Sequence, residues 1–153
     1  MIMKKMTLVI AAIMMAVLFA GCGGHKSDLA MGSDLFKEGN CAEAVPYFDA
    51  SIENTKDIME LAHAYFYKGR CAEKAGDMDQ AYEKVYAAKV VACYAVANNI
   101  QASLNTYARS EFCQKILPDM LKKMEDKVSD PAAIRKRVDE KLHARYMKRF
   151  VSE

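Results

Sequence analysis

Thirteen consecutive apolar residues, Leu8 to Ala20, follow Lys4 and Lys5 and run into Gly21-Cys22. As a helix rising about 1.5 Å per residue the run would reach roughly 20 Å, short of the ~30 Å hydrocarbon core of a bilayer. A charged start, a short apolar stretch and small residues at its end form a pattern that export machinery reads, which predicts a removable signal peptide over 1–21. Beyond it the pattern changes to helical spacing. No sustained alternation of β-branched residues occurs, and Ala, Leu, Met, Glu and Lys are plentiful, so the expected fold class is all-α. From Ile100 to Met124 the apolar positions Leu104, Tyr107, Phe112, Ile116, Leu117, Met120 and Leu121 fit a long helix, which Pro118 is expected to kink or break. Ser129-Asp130-Pro131 supplies a capping side chain and a first-turn proline. The helix it starts sets Ile134, Val138, Leu142, Tyr146 and Phe150 four apart.

The junction Leu18-Phe19-Ala20-Gly21-Cys22 resembles the bacterial lipobox, with Phe19 where that pattern prefers Leu. The resemblance implies a diacylglyceryl group on Cys22, cleavage just before it, and a membrane anchor made by several acyl chains, since one chain holds only marginally. Residues 22–27 then form a lipidated tether, Gly23-Gly24-His25-Lys26-Ser27 being its flexible part. Gly23 after the cysteine favours, by resemblance to Gram-negative sorting rules, the outer membrane with the protein facing the periplasm. An ordinary secretory peptide with an incidental cysteine, or an uncleaved anchor, are the other readings.

Two stretches of the body superimpose with identical spacing. One runs Gly32, Leu35, Gly39, Cys41, Ala44, Phe48, Ser51; the other Gly69, Ala72, Gly76, Met78, Ala81, Val85, Ala88. The pattern resembles the tetratricopeptide repeat, in which small residues let paired helices approach and a glycine turns the chain between them. It implies that Gly32 and Gly69 sit at close helix crossings and that Gly39 and Gly76 take a left-handed turn conformation. Ala44 and Ala81 keep the crossing close, with Phe48 or the smaller Val85 filling the space beyond. Tyr65 supplies the aromatic expected before the second unit, where the first has Asp28. The turn glycines lie 37 apart, and the three residues beyond the usual repeat length fit an extra helical turn around Asp57 to Leu61. Expected repeats cover about 28–56 and 62–97 within a domain of 28–153. Since two units cannot bury their own ends, capping helices are expected at about 100–124 and 131–151.

Within that architecture Cys41 at the start of one helix and Cys71 near the end of the next approach each other. Cys93 and Cys113 meet if the Asn98 to Asn105 stretch is a loop. Four cysteines allow three connectivities, and pairing suits an exported chain. Four small buried hydrophobes are the plain alternative.

Charge alters this picture only locally. Loss of Lys4 and Lys5 with the leader takes the formal charge from +2 to zero over the remaining 132 residues, which gives no case for nucleic acid as a partner. Residues 23–114 hold nine Lys or Arg against thirteen Asp or Glu, whereas 115–153 hold eleven against seven. Arg135, Lys136, Arg137, Lys141, Arg145, Lys148 and Arg149 make the last helix basic, either as the solvated side of a capping helix or as a face for anionic lipid or an acidic partner. The chain carries no Cys-x-x-Cys, His-Glu-x-x-His, phosphate-cradling glycine loop or Gly-x-Ser-x-Gly elbow, and His25, His63 and His143 stand alone. No catalytic residue, metal or cofactor is therefore expected. The preferred expectation is a lipid-anchored adaptor that binds an envelope protein or peptide through its helical repeats, with Tyr65, Tyr67, Tyr82 and Tyr86 as groove candidates. A structural envelope lipoprotein whose basic C-terminal helix touches membrane or anionic polymer is the second. A small-ligand binder or enzyme is the third.

Overall fold

A computed structural model describes residues 26–102 and 104–149, with side chains as far as Arg145. The leader, Cys22 and His25 lie outside the described residues, as do the side chains of Tyr146, Lys148 and Arg149 and all of Phe150. Six helices and no strand occur among the described residues. They are α1 (Asp28–Lys37), α2 (Cys41–Asn54), α3 (Ile58–Lys74), α4 (Met78–Ala97), α5 (106–124) and α6 (Pro131–Arg149).

Local chemistry sets each boundary. The Ser27 hydroxyl accepts the Ala30 amide proton at 3.2 Å to start α1. At the α1–α2 turn Gly39 has φ +86°, and the amides of Gly39 and Asn40 donate back to the carbonyls of Phe36 and Leu35 at 3.0 and 2.9 Å. This Schellman arrangement closes the orphan carbonyls of α1. Asn40 then caps α2 through Glu43 N–H. The α3–α4 turn repeats the whole device. Gly76 has φ +81°, Gly76 and Asp77 donate to Glu73 and Ala72 at 3.0 Å each, and Asp77 caps α4 through Gln80 N–H. A third copy ends α4 with Asn99 (φ +49°) in the glycine's place, Ile100 donating to Ala95 at 3.0 Å.

The start of α3 lies ahead of residue 62, in the stretch where an extra helical turn was expected. Asp57 Oδ1 accepts from Met59 and Glu60 N–H at 2.7 and 3.0 Å, so the helix begins at Ile58. The expected helix from 100 begins at 106, capped by Asn105 through Ala108 N–H at 2.9 Å. The loop before it is pinned by buried Arg109, which donates to the Ile100 carbonyl and to Thr106 Oγ1.

Pro118 neither breaks nor ends α5. The helix widens to a π turn at Phe112–Ile116, where Leu117 N–H reaches back to the Phe112 carbonyl, and α-helix resumes over Leu117–Met124. Inserting one residue into the turn carries the chain past a ring that would otherwise meet the preceding turn. Pro46 is tolerated in α2 for another reason: Ala42, whose carbonyl it deprives of a donor, is exposed to water.

Packing follows the small residues. A Cβ added to Gly32 would lie 2.6 Å from Phe48 Cε1, and one added to Gly69 would lie 2.9 Å from Val85 Cγ2 and 3.1 Å from the Ala81 carbonyl oxygen. The α1–α2 and α3–α4 hairpins therefore cross at glycine, with Ala44, Phe48, Ala81, Val85 and Ala88 fully buried beside them. One core runs through α3, α4, α5 and α6, and a smaller one joins Ala44, Phe48 and Cys71 under α1. Helix α6 buries Ile134, Val138 and Leu142 and lies along α4 in the same direction. Successive bonds mark that path: Ser129 to Asp79, Arg135 to Tyr82, Arg137 to Glu83, and the Tyr86 hydroxyl to Asp139. Arg145 then reaches the end of α2 and donates to the Ile52 carbonyl at 2.7 Å, a cation at a helix C-terminus.

Candidate functional site

The outward side of α3 carries Glu60, His63, Tyr67, Arg70 and Lys74 at intervals of three and four residues, which places them on one face. All but exposed Lys74 are half-buried. A face of this kind is partly covered by its neighbours and partly open to solvent.

Aromatic rings cross it from one helix to the next. Phe36 of α1 lies 5.2 Å from Tyr67, Tyr67 lies 5.3 Å from Phe66, and Phe66 lies 5.5 Å edge-on from Phe112 of α5, measured between centroids. The Tyr67 ring also stacks on Phe48 beneath it at 5.5 Å. These separations fall in the range where ring quadrupoles attract. Cations lie at the rim. Lys74 Nζ sits 4.1 Å from the Phe36 centroid, and Arg70 pairs with Glu73 at 3.2 Å.

His63 lies 4.9 Å from Phe112 within this belt. Burial holds its imidazole below the ordinary value of 6.5, against smaller opposing effects of the Met59 carbonyl and Asp57. The ring is neutral at pH 7 and behaves as one more flat surface. Chemically the face offers π surface and rim cations, and among the described residues no group of three His, Cys, Asp or Glu side chains gathers to hold a metal ion.

The expected site residues distribute unevenly around it. Tyr67 is on the face, Tyr65 and Tyr82 are buried, and Tyr86 turns toward α6. Cys41 is bonded to Cys71 and Cys93 to Cys113, with Cα separations of 5.4 and 5.0 Å. The basic face of α6 is smaller than its composition suggests. Arg135 is bound to Tyr82 and Glu125, exposed Arg137 to Glu83, and Arg145 to the Ile52 carbonyl and Glu53, which leaves Lys136 and Lys141 as its exposed cations outside any ion pair among the described side chains. His143 is exposed. Phe36 and Phe66 carry no signal in the sequence, and Phe112 shows there only as an apolar position of its own helix. They belong to three helices, and a belt that forms only between helices leaves no periodic trace within any one of them.

No profile of a known protein family, no curated protein and no solved structure matches this chain. Among the described residues no helix is long and apolar enough to cross a membrane.

Proposed function

We propose that this chain is a lipid-anchored adaptor of the bacterial cell envelope, tethered through Cys22, that holds a protein or peptide partner on the face built by α1, α3 and α5. The observation that carries the reading is the aromatic belt Phe36–Tyr67–Phe66, half-buried, continued inward by buried Phe112 and rimmed by Lys74 and Arg70. Aromatic and Arg side chains are the groups that contribute most to protein interfaces per residue.

The finer architecture we read as two tetratricopeptide-like hairpins followed by a capping pair. Its support is the shared turn device at Gly39-Asn40 and Gly76-Asp77 and the close approaches at Gly32 and Gly69. In such stacks the first helices of successive units line a recessed surface, the position that α1, α3 and α5 take in this reading. We place the protein on the outer membrane facing the periplasm from the Ala20-Gly21-Cys22-Gly23 junction, and read it as a binder with no catalytic role. The docking reading is preferred to a membrane-touching basic helix because Arg135, Arg137 and Arg145 are engaged within the chain.

Site-specific photo-crosslinking tests the face directly. A photoreactive residue at Tyr67 or Arg70, in intact cells, should give one discrete adduct that is lost when Phe66→Ala is added. The same probe at Lys136 should give none. Absence of an adduct at both face positions, or an equal adduct at Lys136, would reject the docking surface.

A further inference from the structure

Where α4, α5 and α6 meet, a crevice of about 330 Å³ is lined by Tyr82, Tyr86, Lys89, Lys122, Glu125 and Arg135. Each of the three helices sends one cation to it: Lys89 from α4, Lys122 from α5 and Arg135 from α6. The only carboxylate in the lining, Glu125, is in an ion pair with Arg135 at 3.0 Å, and Asp139 nearby accepts the Tyr86 hydroxyl at 3.2 Å. Lys89 and Lys122 make no ion pair among the described residues. Lys89 instead lies 5.8 Å from the Tyr86 ring. Cations gathered in one recess repel each other, and a bound anion relieves that repulsion.

The Tyr82 hydroxyl adds a neutral donor. It accepts from Arg135 Nη1 at 2.8 Å and keeps its own proton free to donate. Burial holds its pKa above the ordinary phenol value, so the proton stays in place at neutral pH. Pro118, Leu121 and the Tyr86 ring make the rest of the wall apolar. Cations arriving from three separate helices suit a tetrahedral anion with several oxygens better than a planar carboxylate, which one Arg fork already satisfies. The volume exceeds that of a bare oxyanion and is of the size that takes a small organic group with it.

We propose that this crevice binds a phosphate group carried on a small organic body, with Lys89, Lys122 and Arg135 as its cations and the Tyr82 hydroxyl as its neutral donor. The phosphate belongs either to a free phosphate ester or to a lipid headgroup. Both share the recognition chemistry, and the inference stands independently of the docking face on α3.

Amide chemical shifts of the full chain in zwitterionic detergent provide the test, with inorganic phosphate, glycerol 1-phosphate and short-chain phosphatidylglycerol as probes against sodium chloride at matched ionic strength. Saturable shifts centred on Lys89, Lys122 and Arg135 are expected with at least one probe. Lys89→Gln and Lys122→Gln, both at solvent-accessible positions, should each weaken binding about tenfold, the loss of one charge-assisted hydrogen bond. Lys136→Gln, on the exposed side of α6, should leave it unchanged. Saturation by glycerol 1-phosphate alone assigns a free ester, and saturation by phosphatidylglycerol alone assigns a headgroup. Shifts that fail to saturate with every probe, or a loss in Lys136→Gln equal to that in Lys89→Gln, would overturn the proposal by leaving only diffuse attraction.

Discussion

Gly69→Ala separates two physical effects that have opposite signs. Position 69 lies inside α3, where alanine is favoured over glycine by about 1 kcal/mol in helix propensity. Propensity alone therefore predicts a more stable protein. The added methyl, however, would meet Val85 Cγ2 at 2.9 Å and two backbone atoms, the Ala81 oxygen and the Val85 nitrogen, at 3.1 Å each. A side chain can rotate away, but the α4 backbone cannot do so without moving a helix that also packs on α5 and α6. Overpacking of this kind costs about 1–3 kcal/mol. Against the propensity gain, the net expectation is a loss of about 0–2 kcal/mol and a Tm lower by up to roughly 8 °C. Chemical denaturation followed by circular dichroism measures it. Adding Val85→Ala to Gly69→Ala should recover only part of the loss, because the two backbone contacts remain. A Gly69→Ala protein more stable than the parent would refute the close crossing of α3 and α4.

Three further outcomes are expected. Replacing Cys93 and Cys113 together by Ala should destabilise the fold by about 3 kcal/mol, from the loop-closure entropy of a 20-residue separation, as read by urea titration. His63 has its pKa below 6.5 in the folded chain, so the unfolded chain binds the extra proton first. Stability should therefore fall as pH drops below about 6.5 toward the folded value, and His63→Phe should flatten that part of the profile; a parallel slope in both proteins would contradict the buried neutral imidazole. Cys22→Ser should move the protein from the membrane fraction to the soluble fraction of lysed cells, and unchanged partition would count against the lipid anchor.

The sequence made local devices visible and hid those that depend on distant neighbours. Gly39 followed by Asn40 and Gly76 followed by Asp77 carry turn and cap within two residues, so the bends could be anticipated. Asn99 performs the same left-handed turn with no glycine to mark it. The effect of Pro118 depends on the π turn before it, which has no compositional signature. The cysteine pairs followed once antiparallel neighbours were assumed. The cations of α6 show the opposite case. Their partners Glu83, Ile52 and Glu53 lie more than fifty residues away in sequence, so the residues could be named but not whether they were free. The belt from Phe36 to Phe112 was hidden for the same reason.

The small-residue packing that brings these helices together also limits what holds them. Helix α4 buries Ala81, Ala87, Ala88, Ala92 and Ala95, and each contributes a single methyl at about 0.8 kcal/mol or less. The shortage is greatest around α1 and α2, whose own core is the cluster of Ala44, Phe48 and Cys71 with half-buried neighbours. Cys41–Cys71 joins that cluster to α3 across a 30-residue separation, which in loop-closure terms is worth about 3–4 kcal/mol. The first hairpin therefore depends on its crosslink more than the remainder depends on Cys93–Cys113. Reduction by a dithiol should release α1 and α2 as a locally unfolding unit while α3 to α6 stay protected. Amide hydrogen exchange on the reduced chain resolves this. Protection lost together across all six helices would mean that the hairpin is held by the common core, and that the smaller cluster is not a weak point.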